Sequence, residues 1–160
     1  MLFGAKQPVV AKASTVIKKP VVDVFHFIGE DFFSNYPKWS PEVVELKPLS
    51  TGPVQVGSMA WQVRVDRGHR TESTFAVTDL QPNRRIAFSG VSNAFHCAYE
   101  LRQAGPDAAT QVAFTFELPE LELYMRPFEQ LIRLAVQEGA ERTVQNLKGL
   151  LENPTRSMGG

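Results

Sequence analysis

Five consecutive segments between residues 59 and 118 alternate apolar and polar side chains with a period of two, and after them the period changes. In the first, Met59, Trp61, Val63 and Val65 share one phase, against Gln62, Arg64 and Asp66. Ser73, Phe75 and Val77 follow, then Ile86 and Phe88, then Phe95, Cys97, Tyr99 and Leu101, then Val112, Phe114, Phe116 and Leu118. Period two marks strands with one apolar and one polar face. The connections RGH, QPNR and AGPDAA are short and rich in turn formers, so successive strands pair antiparallel. From about Tyr124 to Glu152 the repeat becomes helical: Met125, Phe128, Ile132, Val136, Ala140, Thr143, Val144, Leu147, Leu150 and Leu151 fall on one stripe. A sheet of this size needs its apolar face covered. The terminal helix, about 40 Å long at 1.5 Å per residue, is the element long enough to do so, and the sheet is expected to curl around it.

The first fifty residues complete the pattern. Val9, Ala11, Ala13, Thr15 and Ile17 share one face of a strand. Pro20 suits the first turn of a helix, and Val21, Val24, Phe25 and Ile28 form its apolar stripe. A second helical turn is expected over 31–36, and another strand over 42–48. The expected class is α+β: a curved antiparallel sheet of about seven strands wrapped around a long C-terminal helix, with two short helices after the first strand. One domain is expected over residues 9–152, with residues 1–8 and 153–160 as flexible ends.

Charge and cysteine content exclude several functions. Seventeen basic residues balance seventeen acidic ones, unlike the strongly basic surface of a general nucleic-acid binder. Cys97 is the sole cysteine, so no internal disulfide forms and a reducing compartment is expected. No stretch approaches the ~20 apolar residues of a membrane span, and the N-terminus lacks a signal-peptide core; the expected location is the cytoplasm, without membrane insertion. His26, His69 and His96 lie far apart and match no metal-ligand spacing, so neither a metal nor another cofactor is expected.

Two features point to a hollow. The middle of the terminal helix is built from small residues, Ala135, Gly139, Ala140 and Thr143, and the facing strands are aromatic. Close helix–sheet packing explains the small residues equally well, but the aromatic strands favour a helix propped away from the sheet. Strand phase places Thr15, His69, Thr71, Ser73, Asp79 and Tyr99 on the inner face. Among them Tyr99, Asp79 and His69 are the candidates for proton transfer, and Tyr99 combines a wall-forming ring with a polar tip. Leu131 and Leu134 fall outside the apolar stripe and hint at a homodimer.

The order of elements, with Ile17, Pro20 and Val24, then Trp39 and Pro41 in PKWSP, Val56-Gly57, Pro82 with Arg85, and Leu147 with Leu151, resembles the START-related, pollen-allergen-like (SRPBCC) superfamily, and within it the polyketide cyclase/dehydrase-like branch. The resemblance covers roughly residues 10–152. It implies a helix-grip fold with an apolar pocket between sheet and helix, and the binding of an apolar or aromatic small molecule or lipid. On that reading Trp61, Ser73, Phe75, Tyr99, Phe116, Val136 and Gly139 line the pocket, with Tyr36 and Trp39 at its mouth. An alternative is a cyclase, aromatase or dehydratase using the same pocket, and a third is a protein-interaction module.

Overall fold

The computed structural model describes residues 8–153 of the 160-residue chain. Strands β1 (Val9–Ile17), β2 (Val43–Pro48), β3 (Met59–Asp66), β4 (His69–Gln81), β5 (Arg85–Gly90), β6 (His96–Gln103) and β7 (Thr110–Leu118) form one sheet in the order β1-β7-β6-β5-β4-β3-β2. Every neighbouring pair is antiparallel. Helices α1 (Val21–Phe25) and α2 (Phe32–Trp39), joined by a π-helical turn at His26–Glu30, connect β1 to β2. The terminal helix α3 spans Glu129–Glu152. This is the helix-grip arrangement. Apart from Pro8 and Asn153, the ends expected to be loose lie outside the described residues.

Periodicity alone starts the long helix at Tyr124, but Leu123–Phe128 forms a 3-10 segment with Pro127 inside it. Proline has no N–H to donate within an α-helix, and the tighter turn accommodates it before α3 begins. As a result Phe128 leaves the expected apolar stripe and is exposed.

Helix α3 also covers the sheet's edge. Strand β1 pairs with β7 on one side, and α3 supplies partners on the other. The Gln137 side chain donates to the Lys12 carbonyl at 2.9 Å and accepts from the Lys12 N–H at 3.3 Å. The Lys18 N–H donates to Glu152 at 2.8 Å, and Lys148 donates to the Val16 carbonyl. An edge strand left open invites pairing with another chain; here side chains of α3 occupy it.

Two devices set which residues face inward. At the β3–β4 hairpin, Arg67 (φ 53°) and Gly68 (φ 82°) both have positive φ, the signature of a two-residue type I′ turn. That turn pairs Asp66 with His69, and so Gln62 with Ser73 and Ala60 with Phe75. Further along β4, the register shifts between Val77 and Asp79. Such a bulge turns the following side chains to the opposite face.

One end of the grip is filled with rings. Phe32 on α2 lies 5.2 Å from Tyr36, 5.0 Å from Phe88 and 5.9 Å from Phe75, and stacks on Trp39 at 6.1 Å, centroid to centroid. Phe75 and Phe88 meet at 4.8 Å. Asn146 on α3 donates to the Trp39 carbonyl at 3.0 Å and ties the end of α2 to the long helix. Fully burying a side chain of this size stabilises the fold by roughly 1.5–3 kcal/mol, so this cluster is a principal anchor of the fold.

Candidate functional site

Beyond the aromatic cluster, sheet and helix part. They enclose a cavity of about 660 Å³ between β3, β4, β6, β7 and the middle of α3. From the helix come Ala135, Val136, Gly139, Ala140 and Thr143. Their small side chains leave the room: a Cβ built on Gly139 meets nothing nearer than the tip of Arg142 at 3.8 Å. The exposed lining residues Asp66, Arg67, Thr71, Asn93 and Arg142 mark the mouth.

The walls differ in chemistry. Strands β6 and β7, with the segment just before β6, contribute Phe95, Cys97, Phe114, Phe116 and Leu118, an apolar surface continuous with the small face of α3. Strands β3 and β4, with α2 and the turn after it, contribute Gln62, Arg64, Thr71, Ser73, Tyr36, Ser40 and Glu42.

The polar wall is organised around Arg64. Its Nε and Nη2 donate to the two carboxylate oxygens of Asp66 at 3.2 and 3.0 Å, a fork that fixes the guanidinium plane. Its Nη1 donates to the Tyr36 hydroxyl oxygen at 3.3 Å and to Ser40 Oγ at 3.4 Å. Burial disfavours the Arg64 charge, but Tyr36, Asp66 and Glu42 outweigh it and the net displacement of its pKa is upward. The Tyr36 hydroxyl, which accepts from Arg64, also has Ser40 as a hydrogen-bond partner, and it lines the cavity. Tyr99 is arranged alike: its oxygen accepts from the Trp39 indole N–H at 3.0 Å.

Burial pushes the Tyr36 hydroxyl up to about 12, although Arg64 pulls it the other way. Burial likewise takes the Cys97 thiol up to about 12 and raises Tyr99. All three are neutral at physiological pH, and none is poised for proton exchange near neutrality, where a general acid or base works best.

Gln62 is 2% exposed. Its Nε2 donates to Ser73 Oγ at 3.2 Å, while its Oε1 has no hydrogen-bond partner among the described residues. A buried polar atom left unpaired costs about 1–3 kcal/mol.

Of the residues expected to line the pocket, Ser73, Tyr99, Phe116, Val136 and Gly139 do so, and Tyr36, expected at the mouth, lines it from a buried position. Three are elsewhere. Trp61 lies on the outer face of β3, where its cross-strand neighbours are Lys47 and Thr74; the hairpin register gives the inner face to Ala60, Gln62 and Arg64. Phe75 is on the inner face but belongs to the aromatic cluster. Trp39 is fully buried behind Tyr99 rather than at the mouth.

Two proton-transfer candidates are also misplaced. The bulge in β4 turns Asp79 outward, where it pairs with Arg85 at 2.9 Å. His69 is exposed at the hairpin, outside the cavity lining. The residues not anticipated are Gln62, Arg64, Ser40 and Glu42. For Gln62 and Arg64 the signal was the two-residue turn, whose register brings them onto the face of Ser73 and Thr71. Leu131 and Leu134 are 67% and 57% exposed. Among the described residues, no group of His, Cys, Asp or Glu side chains is placed to hold a metal ion, and no helix is long and apolar enough to cross a membrane.

A curved sheet gripping a long helix around a ligand-sized hollow defines the helix-grip class. The chain belongs to the family described as polyketide cyclase/dehydrase and lipid transport, whose model matches residues 8–152. Among solved structures it is similar to the Zhui aromatase/cyclase of Streptomyces sp. R1128, with 16% identity over 96% of this chain and 99% of that one and a TM-score of 0.77. It is also similar to a START superfamily protein of Mycobacterium smegmatis, with 14% identity over 91% and 98% of the two chains and a TM-score of 0.73. A protein of Thermus thermophilus shares 14% identity over 94% and 97%, with a TM-score of 0.70. At these identities the likeness establishes the fold. No curated protein sequence matches the chain. Family and fold support a ligand-binding or cyclase-type role.

Proposed function

We propose that this protein binds an amphipathic small molecule, with an apolar or aromatic body and one oxygen-bearing end, in the cavity between the sheet and α3. The divided wall carries this reading. The body rests against Phe95, Phe116 and Val136, and an acceptor oxygen at the other end receives hydrogen bonds from the Tyr36 and Tyr99 hydroxyls. Pockets for small molecules are mostly apolar with a few placed polar groups, and about 660 Å³ lies within their usual range. The binding needs no cofactor, and the expected setting is the cytoplasm.

A cyclase, aromatase or dehydratase acting in the same cavity draws on one observation, the convergence of Arg64 and Tyr36. A fixed cation behind a hydroxyl can stabilise negative charge developing on a bound carbonyl oxygen. The binding reading is preferred because Tyr36, Tyr99 and Cys97 all stay protonated far above neutrality.

Native mass spectrometry of freshly purified protein tests the proposal. A co-purifying small molecule that is lost on denaturation is the expected result. Bare protein that also fails to take up the fluorescent probe 1-anilinonaphthalene-8-sulfonate contradicts it.

A further inference from the structure

We infer that Gln62 is a specificity-determining residue of this cavity, and that its ligands carry a hydrogen-bond donor, a hydroxyl or an N–H, which donates to Gln62 Oε1. The inference rests on the binding reading above and narrows it, because a molecule offering only acceptor oxygens leaves this atom unmatched.

The geometry has three parts. Gln62 lies on the inner face of β3 and lines the cavity while remaining 2% exposed. Its amide plane is held by the bond from Nε2 to Ser73 Oγ, across the strand pair fixed by the β3–β4 turn. One amide N–H is held by Ser73, and the carbonyl oxygen is the atom without a partner. An amide oxygen accepts and never donates, so the complementary group on the ligand is a donor. On the same face, two residues along β3, Arg64 orients the Tyr36 hydroxyl as a donor. Strand geometry separates positions 62 and 64 by about 6–7 Å. The polar wall therefore carries both an acceptor, Gln62 Oε1, and a donor, the Tyr36 hydroxyl, and it discriminates by the pairing of both. Selectivity of this kind arises because a buried polar group is left unpaired when the wrong ligand binds.

The test compares two probes with the same apolar body, 2-naphthol, which has an O–H donor, and 2-methoxynaphthalene, which lacks it. Affinities for wild type, Gln62→Met and Gln62→Glu are measured by displacement of 1-anilinonaphthalene-8-sulfonate. The affinity ratio of 2-naphthol to 2-methoxynaphthalene is expected to fall about tenfold in Gln62→Met, the effect of one hydrogen bond. It is expected to persist in Gln62→Glu, which keeps an acceptor, while 2-methoxynaphthalene binds wild type and Gln62→Met alike. An unchanged ratio in Gln62→Met overturns the role of Gln62 and leaves the cavity reading intact. Failure of wild type to bind either probe overturns both. If Gln62→Met does not fold, proton NMR of the wild-type complex decides: contacts between 2-naphthol and the Gln62 side-chain amide protons support the assignment, and their absence in a saturated complex overturns it.

Discussion

The indole N–H of Trp39 donates to the hydroxyl oxygen of Tyr99 at 3.0 Å, joining the end of α2 to the middle of β6 inside the core. Both residues are almost wholly buried, so neither has water as a ready substitute. Tyr99→Phe strands the indole donor and is expected to cost about 1–3 kcal/mol of unfolding free energy. Adding Trp39→Phe removes the stranded group, so the double variant loses less than the sum of the two singles. Urea unfolding of the four proteins gives the coupling, expected at about 1 kcal/mol. Strict additivity contradicts the bond's importance.

Asp79 and His69 serve as controls for the site. Asp79 pairs with Arg85 on the outer face, and His69 is at an exposed turn. Asp79→Ala and His69→Ala are expected to leave probe affinity within about twofold of wild type. The partly exposed Asp79–Arg85 pair is worth no more than about 1 kcal/mol, which a urea titration reads directly. A large loss of binding in either variant places the site elsewhere.

Alkaline pH is expected to destabilise the protein in two stages. Folding holds the Cys97 thiol and the Tyr36 hydroxyl protonated up to about 12, from ordinary values of 9.0 and 10.0. Above pH 9 the unfolded chain therefore loses the thiol proton while the native state retains it, and above pH 10 the same holds for Tyr36. Stability from these groups is complete below pH 9, falls through the interval and is gone above 12. Each contributes a slope of about 1.4 kcal/mol per pH unit inside its window. Cys97→Ala is expected to delay the onset from about pH 9 to about pH 10 in urea unfolding series. An unchanged onset contradicts the burial of the thiol.

Strand phase within β6, β7 and most of β4 was legible in the sequence, because a single alternation ran without interruption from Cys97 to Leu101 and from Val112 to Leu118. The hollow under α3 was legible too, in the run of small residues around Gly139. What escaped was any place where apolar residues occupy the outer face. Met59, Trp61, Val63 and Val65 are the more apolar phase of β3, yet the cavity takes the other phase, because the β3–β4 register puts Gln62 and Arg64 on the face of Ser73 and Thr71. Reading the register outward from Arg67 and Gly68 would have corrected this. The bulge that turns Asp79 outward leaves no clear mark in a run of alternating residues. Nor does composition distinguish rings that fill space, such as Phe75 and Trp39, from rings that line it, such as Phe116. That division depends on where α2 docks.

The account stands on the space beside Gly139. A phenylalanine there enters the cavity from α3, and the backbone accepts it: the built Cβ meets nothing closer than a flexible arginine tip, and phenylalanine recovers part of the roughly 0.5–1 kcal/mol by which a mid-helix glycine falls short of alanine. The decisive measurement is uptake of 1-anilinonaphthalene-8-sulfonate by wild type and Gly139→Phe, with thermal unfolding of both. Retained or raised stability with at least tenfold weaker uptake is the predicted result. Equal uptake by a stably folded Gly139→Phe would show that the ligand does not enter between sheet and helix.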